Sequence, residues 1–162
     1  MNRVAARPPE SVGELCLVRM GVQSRGLSAW LYAARLKRQI DRAAEAAKAG
    51  GGLLSSERFT FGRNHFGVLQ YWRSFADLDA WSRKPPHSEW WREAVGRMRS
   101  RQDFGVYHET FLVPRDRVES LYLNCEPAGL LAFGLTSEPV GGDTNARGRL
   151  GLGTRPTRSE PD

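Results

Sequence analysis

The sequence predicts an α+β fold, a ferredoxin-like sandwich of order βαββαβ with an extra strand toward the C-terminal end. Three observations lead there. The spacing of apolar residues switches between a period of two and a period of three to four in the order strand, helix, strand, strand, helix, strand. The helices this order contains suffice to cover one face of a sheet. Strands holding Leu15 and Leu17, or Val106 and Leu112, nevertheless need apolar cover on their other face. A second sheet meets that need most economically, so the expectation is a homodimer whose two sheets face each other and enclose a pocket on the uncovered side of each subunit.

The elements follow in chain order. Residues 1–12 are polar and interrupted by Pro8 and Pro9, which predicts a flexible arm, and the domain itself is expected over 13–135. In GELCLVRMGVQ, Cys16, Val18, Met20 and Val22 alternate with Leu15, Leu17, Arg19 and Gly21, a strand with Arg19 as its polar exception. Ser28 is a candidate N-cap for a long helix on which Ala29, Ala33, Leu36, Ile40, Ala43 and Ala47 form one face, ended by Gly50, Gly51 and Gly52. LLSSERFTF and HFGVLQYW read as two strands joined at Gly62, Arg63 and Asn64. Ser74, with Asp77 three residues on, caps a second helix that Pro85 and Pro86 interrupt and that restarts at His87 or Ser88 and runs to about Arg101. FGVYHETFLVP is again a strand, and VESLYLN a last extended piece before PAGLLAFG. From Thr136 onward small and polar residues dominate, so 136–162 is expected to be disordered or loosely packed, since it has little to bury against its ordering entropy.

A chain of 162 residues, 40% hydrophobic and 10% aromatic, suffices for one compact domain. Cys16 and Cys125 show neither disulfide-framework nor zinc spacing, which favours a reducing, cytoplasmic setting. No stretch approaches the roughly 20 apolar residues of a membrane span. The formal charge of +6 raises nucleic acid as a partner, but the cations mix with acids on the outer faces of helices, as on an ordinary solvated surface. No phosphate-loop, dinucleotide or GxSxG fingerprint occurs. Neither nucleic acid nor a membrane is therefore expected as a partner.

The words QYWRSF, FGVYHETF and ESLYLNCEPAGL resemble a monooxygenase-like family whose members carry a YWRS segment, a histidine before a tryptophan-containing helix and a terminal HET segment. A fungal member acts in fumagillin biosynthesis, and the family lies near the antibiotic-biosynthesis monooxygenases, the dimeric α+β barrels. The resemblance covers most of 13–135. It implies that fold, a homodimer and oxidation of a hydrophobic or aromatic small molecule in secondary metabolism. Haem-degrading relatives of the wider superfamily carry a tryptophan on the second helix and, ten residues later, the histidine that ligates iron. Here Trp81 takes the first position but Trp91 the second, so haem is the alternative occupant only if the Pro85–Pro86 break shifts the frame to His87, or if His108 is the ligand.

Residues 70–93 hold four of the five tryptophans. Tyr71, Trp72, Trp81, Trp90 and Trp91 form either a wall over an aromatic ligand or a core plug. His108 and Glu109 must point to opposite faces of their strand, which excludes them as a mutual dyad. The face of Val106, His108, Thr110 and Leu112 is expected toward the pocket, with Tyr107, Phe111 and Val113 bedding the helices. His108 is either a buried, satisfied imidazole or an acid/base group. His87 is either a helix cap or its catalytic partner. Arg19 is an anion stabiliser for the same cavity or else an ion-pair partner of Glu109 or Glu57. His65 reads as a surface residue and Cys16 as a small core hydrophobe. Three functions remain open: a monooxygenase-like enzyme, a haem-binding barrel with a histidine axial ligand, and a non-catalytic small-molecule binder.

Overall fold

The computed structural model describes residues 1–50 and 52–152. These form two compact units, one of residues 14–113 and one of 1–13 with the chain from 114 onward.

The larger unit contains β2 (Glu14–Ser24), α1 (Gly26–Ala49), β3 (Leu53–Gly62), β4 (His65–Trp72), α2 (Phe75–Ser82), α3 (His87–Ser100) and β5 (Phe104–Pro114, whose last residue belongs to the other unit). Its sheet has the order β3-β4-β2-β5, the strand order of a ferredoxin-like fold. β4 pairs antiparallel with β2, Cys16 opposite Trp72 through Gln23 opposite His65, and with β3 across the hairpin.

Strand alternation divides the side chains between two faces. Cys16, Val18, Leu53 and Trp72 pack on Ala44, Ala47 and Leu78 of the helices. Val22 and Phe104 pack on Ala33, Leu36 and Ala94. The alanine stripe of α1 lets that helix lie close on the sheet. Its start differs from the expected cap. Arg25 is the N-cap and Gly26 takes φ +82°, a left-handed turn suited to glycine, so the chain enters the helix before Ser28. The Ser28 hydroxyl instead accepts from Arg97 Nη2 at 3.3 Å.

Ser74 caps α2 as its spacing implies. Its Oγ accepts from the Asp77 backbone N–H at 3.1 Å and donates to Asp77 Oδ2 at 2.6 Å, the kind of cap typically worth about 1 kcal/mol. Arg73, bonded to the same carboxylate, and then Ser74 hold the Asp77 carboxyl below its ordinary range. α3 begins at His87 after the proline pair.

On the face turned from the helices, Gly21 and Gly67 sit opposite each other in the β2–β4 register. A β-carbon at Gly21 would overlap the Tyr107 ring, and one at Gly67 the Met20 carbonyl oxygen. Tyr107 occupies the space over Gly21, and Phe59 that over Gly67.

The smaller unit has β1 (Arg3–Arg7) between β6 (Tyr122–Leu123) and β7 (Leu135–Ser137), both antiparallel to it, followed by α4 (Ala146–Arg149). The segment expected to be a flexible arm thus holds a central strand, because small Ala5 and Ala6 are buried and segments far along the chain pair with both its edges. Buried Arg149 is paired with Glu119 at 2.8 Å and donates to the Asp143 carbonyl at 3.0 Å. Of the expected disordered tail, residues 136–152 carry part of β7 and α4. The remainder, 153–162, lies outside the described residues. No helix among the described residues is long and apolar enough to cross a membrane.

Candidate active site

The period of two along β5 sends Phe104, Val106 and His108 to the helix-covered face. There His108 meets His87, the first residue of α3, in a cavity of about 420 Å³ between the sheet and α2–α3. Val18 and Met20 of β2, Gln70 of β4 and Trp81 of α2 line it, with Trp91 on α3. The lining is mostly apolar, and no lysine or arginine is among the described residues that form it.

His87 Nδ1 lies 2.9 Å from the Ser82 carbonyl oxygen. A carbonyl only accepts, so Nδ1 carries the proton and Nε2 of the neutral ring keeps its lone pair. The Trp81 ring, 4.8 Å from that of His87, holds the imidazole in place. His108 stands exposed at the mouth of the cavity, and its pKa is lowered from 6.5, first by desolvation and then by the charge of nearby His87. Neutral at physiological pH, His108 is suited to accept a proton.

A broader and more polar groove of about 800 Å³ runs beside α1, with Trp72, Trp81, Trp90, Arg42 and Lys84 in its lining. It contains neither His87 nor His108. No cluster of three or more metal-ligating side chains occurs among the described residues.

Several expected site residues lie elsewhere. Arg19 faces away from Val18 and Met20, on the opposite face of the sheet from His108. It pairs with Glu109 at 3.0 Å and lies over the rings of Phe59, Phe61 and Tyr107. Its proposed role as anion stabiliser for the histidines is thereby corrected, because His108 lies on the other face of the sheet. Tyr71 shares that outer face, opposite Leu17 and beside Ser55. Thr110 is exposed and is not part of the chamber lining. Trp72 is 1% exposed and belongs to the core, its ring 5.3 Å from that of Trp81, and Trp90 packs in the second core cluster. Trp81 and Trp91 do line the chamber.

The pocket face is also corrected. The His108 side of β5 is the helix side, not the uncovered side. Tyr107, expected under the helices, lies over Gly21 on the opposite face. His65 is half-buried there, with Nε2 3.1 Å from Tyr107 Oη. Cys16 is buried and its thiol is pushed up to about 11 by burial and then Glu14, which leaves it a core group and not a nucleophile. Gln70, which lines the chamber, was not singled out by any sequence signal. Its place opposite Val18 in a strand otherwise turned inward by Phe66, Val68 and Trp72 is the mark that could have found it.

The sheet order and the histidine-lined cavity under its helices define a ferredoxin-like α+β domain with a cavity between sheet and helices. The chain belongs to the monooxygenase af470-like family, whose model matches residues 16–130. Among solved structures it is similar to an aldoxime dehydratase in complex with butyraldoxime, with 18% identity over 82% of this chain and 40% of that one and a TM-score of 0.67. A second aldoxime dehydratase shows 20% identity over 85% of this chain and 39% of that one, with a TM-score of 0.62. The chain therefore spans about two fifths of these proteins' length, and at such identity the likeness is one of fold. SnoaB, a cofactor-independent oxygenase from Streptomyces nogalater, aligns with 13% identity over 61% of this chain and 91% of that one, with a TM-score of 0.43. No curated protein matches the chain.

Proposed function

We propose that the protein is a monooxygenase-like enzyme acting on a hydrophobic or aromatic small molecule that enolises or carries a phenol, and that His108 and His87 move its proton. The observation that carries this reading is the convergence of two imidazoles, one with its pKa lowered and one with its Nδ1 proton bound to a backbone carbonyl, on a single mostly apolar chamber. Membership of a monooxygenase-like family supports it. His108 takes the acidic proton, and the substrate anion then supplies electrons to dioxygen. For an activated methylene the balance closes without an external reductant: the methylene carbon loses both hydrogens, and with one dioxygen gives a ketone and one water. One oxygen atom becomes the carbonyl and the other leaves as water with both hydrogens. The low-dielectric chamber keeps bulk water from the anion.

Oxygen uptake with anthrone, whose methylene enolises to a phenol, tests the reading. Uptake above the uncatalysed rate is expected, falling on the acid side along a limb placed below pH 6.5. The sign follows from the lowered pKa: the base is neutral above it and is lost below it. Folding stability falls in the same direction, from 6.5 down to the folded pKa, because the unfolded chain takes up the proton first. Quenching of tryptophan fluorescence without oxygen uptake would instead identify a non-catalytic binder.

A second reading has haem in the chamber, where His87 would hold it, favoured by the Nδ1–carbonyl bond, which orients a ring for metal coordination. Haem would supply an iron centre, and His87 Nε2 would hold it. The propionate side fits poorly: the described lining offers no cation, and Asp79 is anionic. A Soret band in the native protein, lost in His87→Ala, would support this reading over the first.

The proposed homodimer closes on the sheet face turned from the helices, where Phe61 is 64% and Phe111 51% exposed. Sedimentation equilibrium is expected to give a two-chain particle that Phe61→Glu reduces to one.

A further inference from the structure

Gln70 is 1% exposed and stands on the helix-covered face of β4, opposite Val18 of β2. Its Oε1 accepts from the Trp72 indole Nε1–H at 3.1 Å. An indole nitrogen donates and does not accept, so the amide cannot be turned over without breaking that bond. The oxygen end therefore belongs to Trp72, and the NH2 end faces elsewhere. That Nε2 is buried and has no hydrogen-bond partner among the described residues. The same side chain lines the chamber shared by His87 and His108.

A buried N–H is almost always paired in a native protein, because leaving it unpaired forfeits its hydration without return. Here the donor belongs to a side chain that lines a cavity walled mostly by Val18, Met20, Leu78, Trp81 and Val106, and it lies buried behind that wall. The partner that fits is an acceptor brought in by whatever fills the cavity. With no lysine or arginine in the described lining, an oxygen on the occupant has the Gln70 amide as a neutral donor that cannot itself ionise.

We infer that Gln70 Nε2–H binds one oxygen of the substrate, a carbonyl that becomes an enolate or phenolate oxygen when a histidine takes the proton, and that Trp72 is a positioning residue that keeps the amide donor-side in. This rests on the chamber being the substrate site, as proposed above. It narrows the substrate to a largely apolar ring system bearing an acceptor oxygen. An oxygen-free hydrocarbon of the same shape leaves the donor unmet and is rejected. As charge builds on that oxygen, a donor already aimed at it strengthens without reorganising.

The experiment compares 9-fluorenone with fluorene, a tricyclic pair that differs by the carbonyl oxygen, by quenching of tryptophan fluorescence in the full chain. Wild type is expected to bind fluorenone about tenfold to a hundredfold more tightly, the range expected for a met against an unmet buried donor. Its infrared carbonyl stretch should shift to lower frequency on binding. Gln70→Met, close in size and without the donor, should abolish both the preference and the shift while retaining fluorene binding. Trp72→Phe leaves Gln70 in place but frees its amide to rotate, so the preference should shrink and the carbonyl band broaden. A merely structural role would weaken both probes equally. An unchanged preference in folded Gln70→Met overturns the inference, as does a wild type that binds the two probes alike or binds neither. The enzymatic reading fails separately: a Gln70-dependent preference with no anthrone-dependent oxygen uptake leaves the binding inference standing and removes the proposed reaction.

Discussion

His108→Ala and His87→Ala are each expected to lower kcat/KM for anthrone-dependent oxygen uptake by about 10²–10⁴, the usual contribution of a positioned acid or base. Each does so for a different reason. His108 is the base whose lowered pKa keeps it unprotonated, so its loss should remove the acid limb of the pH profile together with the rate. His87 has its Nδ1 proton committed to the Ser82 carbonyl, so only Nε2 faces chemistry. Its replacement should lower the rate with the limb still present. If the two act on one proton, the double variant should be little worse than the poorer single variant, because groups acting as a unit are strongly non-additive. Stability separates this from misfolding. His108 is exposed and its removal should leave the denaturation midpoint nearly unchanged. Wild-type rates in both single variants would remove the chamber from consideration as the site of reaction.

Trp72→Ala is expected to destabilise the larger unit by about 3–5 kcal/mol, read as a drop in the denaturant midpoint with little change in slope. Trp72 is the largest of the fully buried side chains and packs with Cys16, Val18, Ala44, Ala47, Leu53 and Leu78. Two losses combine in this variant. A cavity opens between the sheet and the helices, and the Gln70 oxygen loses its donor. Trp72→Phe retains most of the ring volume and should cost clearly less. An alanine variant as stable as wild type would mean that the helices do not depend on this ring for their seat.

How much of this was legible depends on the range of the interaction. The β2 alternation, the Ser74–Asp77 cap and the restart of the helix at His87 are local, and the structure reproduces each of them. Likewise, the opposition of His108 and Glu109 follows from the strand period alone. The orientation of β5 did not follow from its own residues. Val106, His108 and Leu112 against Tyr107, Phe111 and Val113 is nearly balanced in apolar area. What the strand itself does not show is the space left by Gly21 on the neighbouring strand, which the Tyr107 ring occupies. The Arg19 assignment fell with the same choice. β1 was missed because five residues, two of them alanines, carry almost no pattern until strands more than a hundred positions away pair with them. Gln70 was missed because one polar residue at an inward position looks alike in sequence whether it is satisfied or waiting for a ligand.

The sequence by itself determined the order of strands and helices in the larger unit, the family and the residue types on hand for chemistry, since periodicity, caps and turn residues act within a few positions of the chain. Tertiary structure alone decided that His87 and His108 share one chamber, that Arg19 does not, and that an amide donor is held beside them by an indole. Those outcomes depend on which side chains from distant strands compete for the same space, and that competition begins only when the sheet has formed.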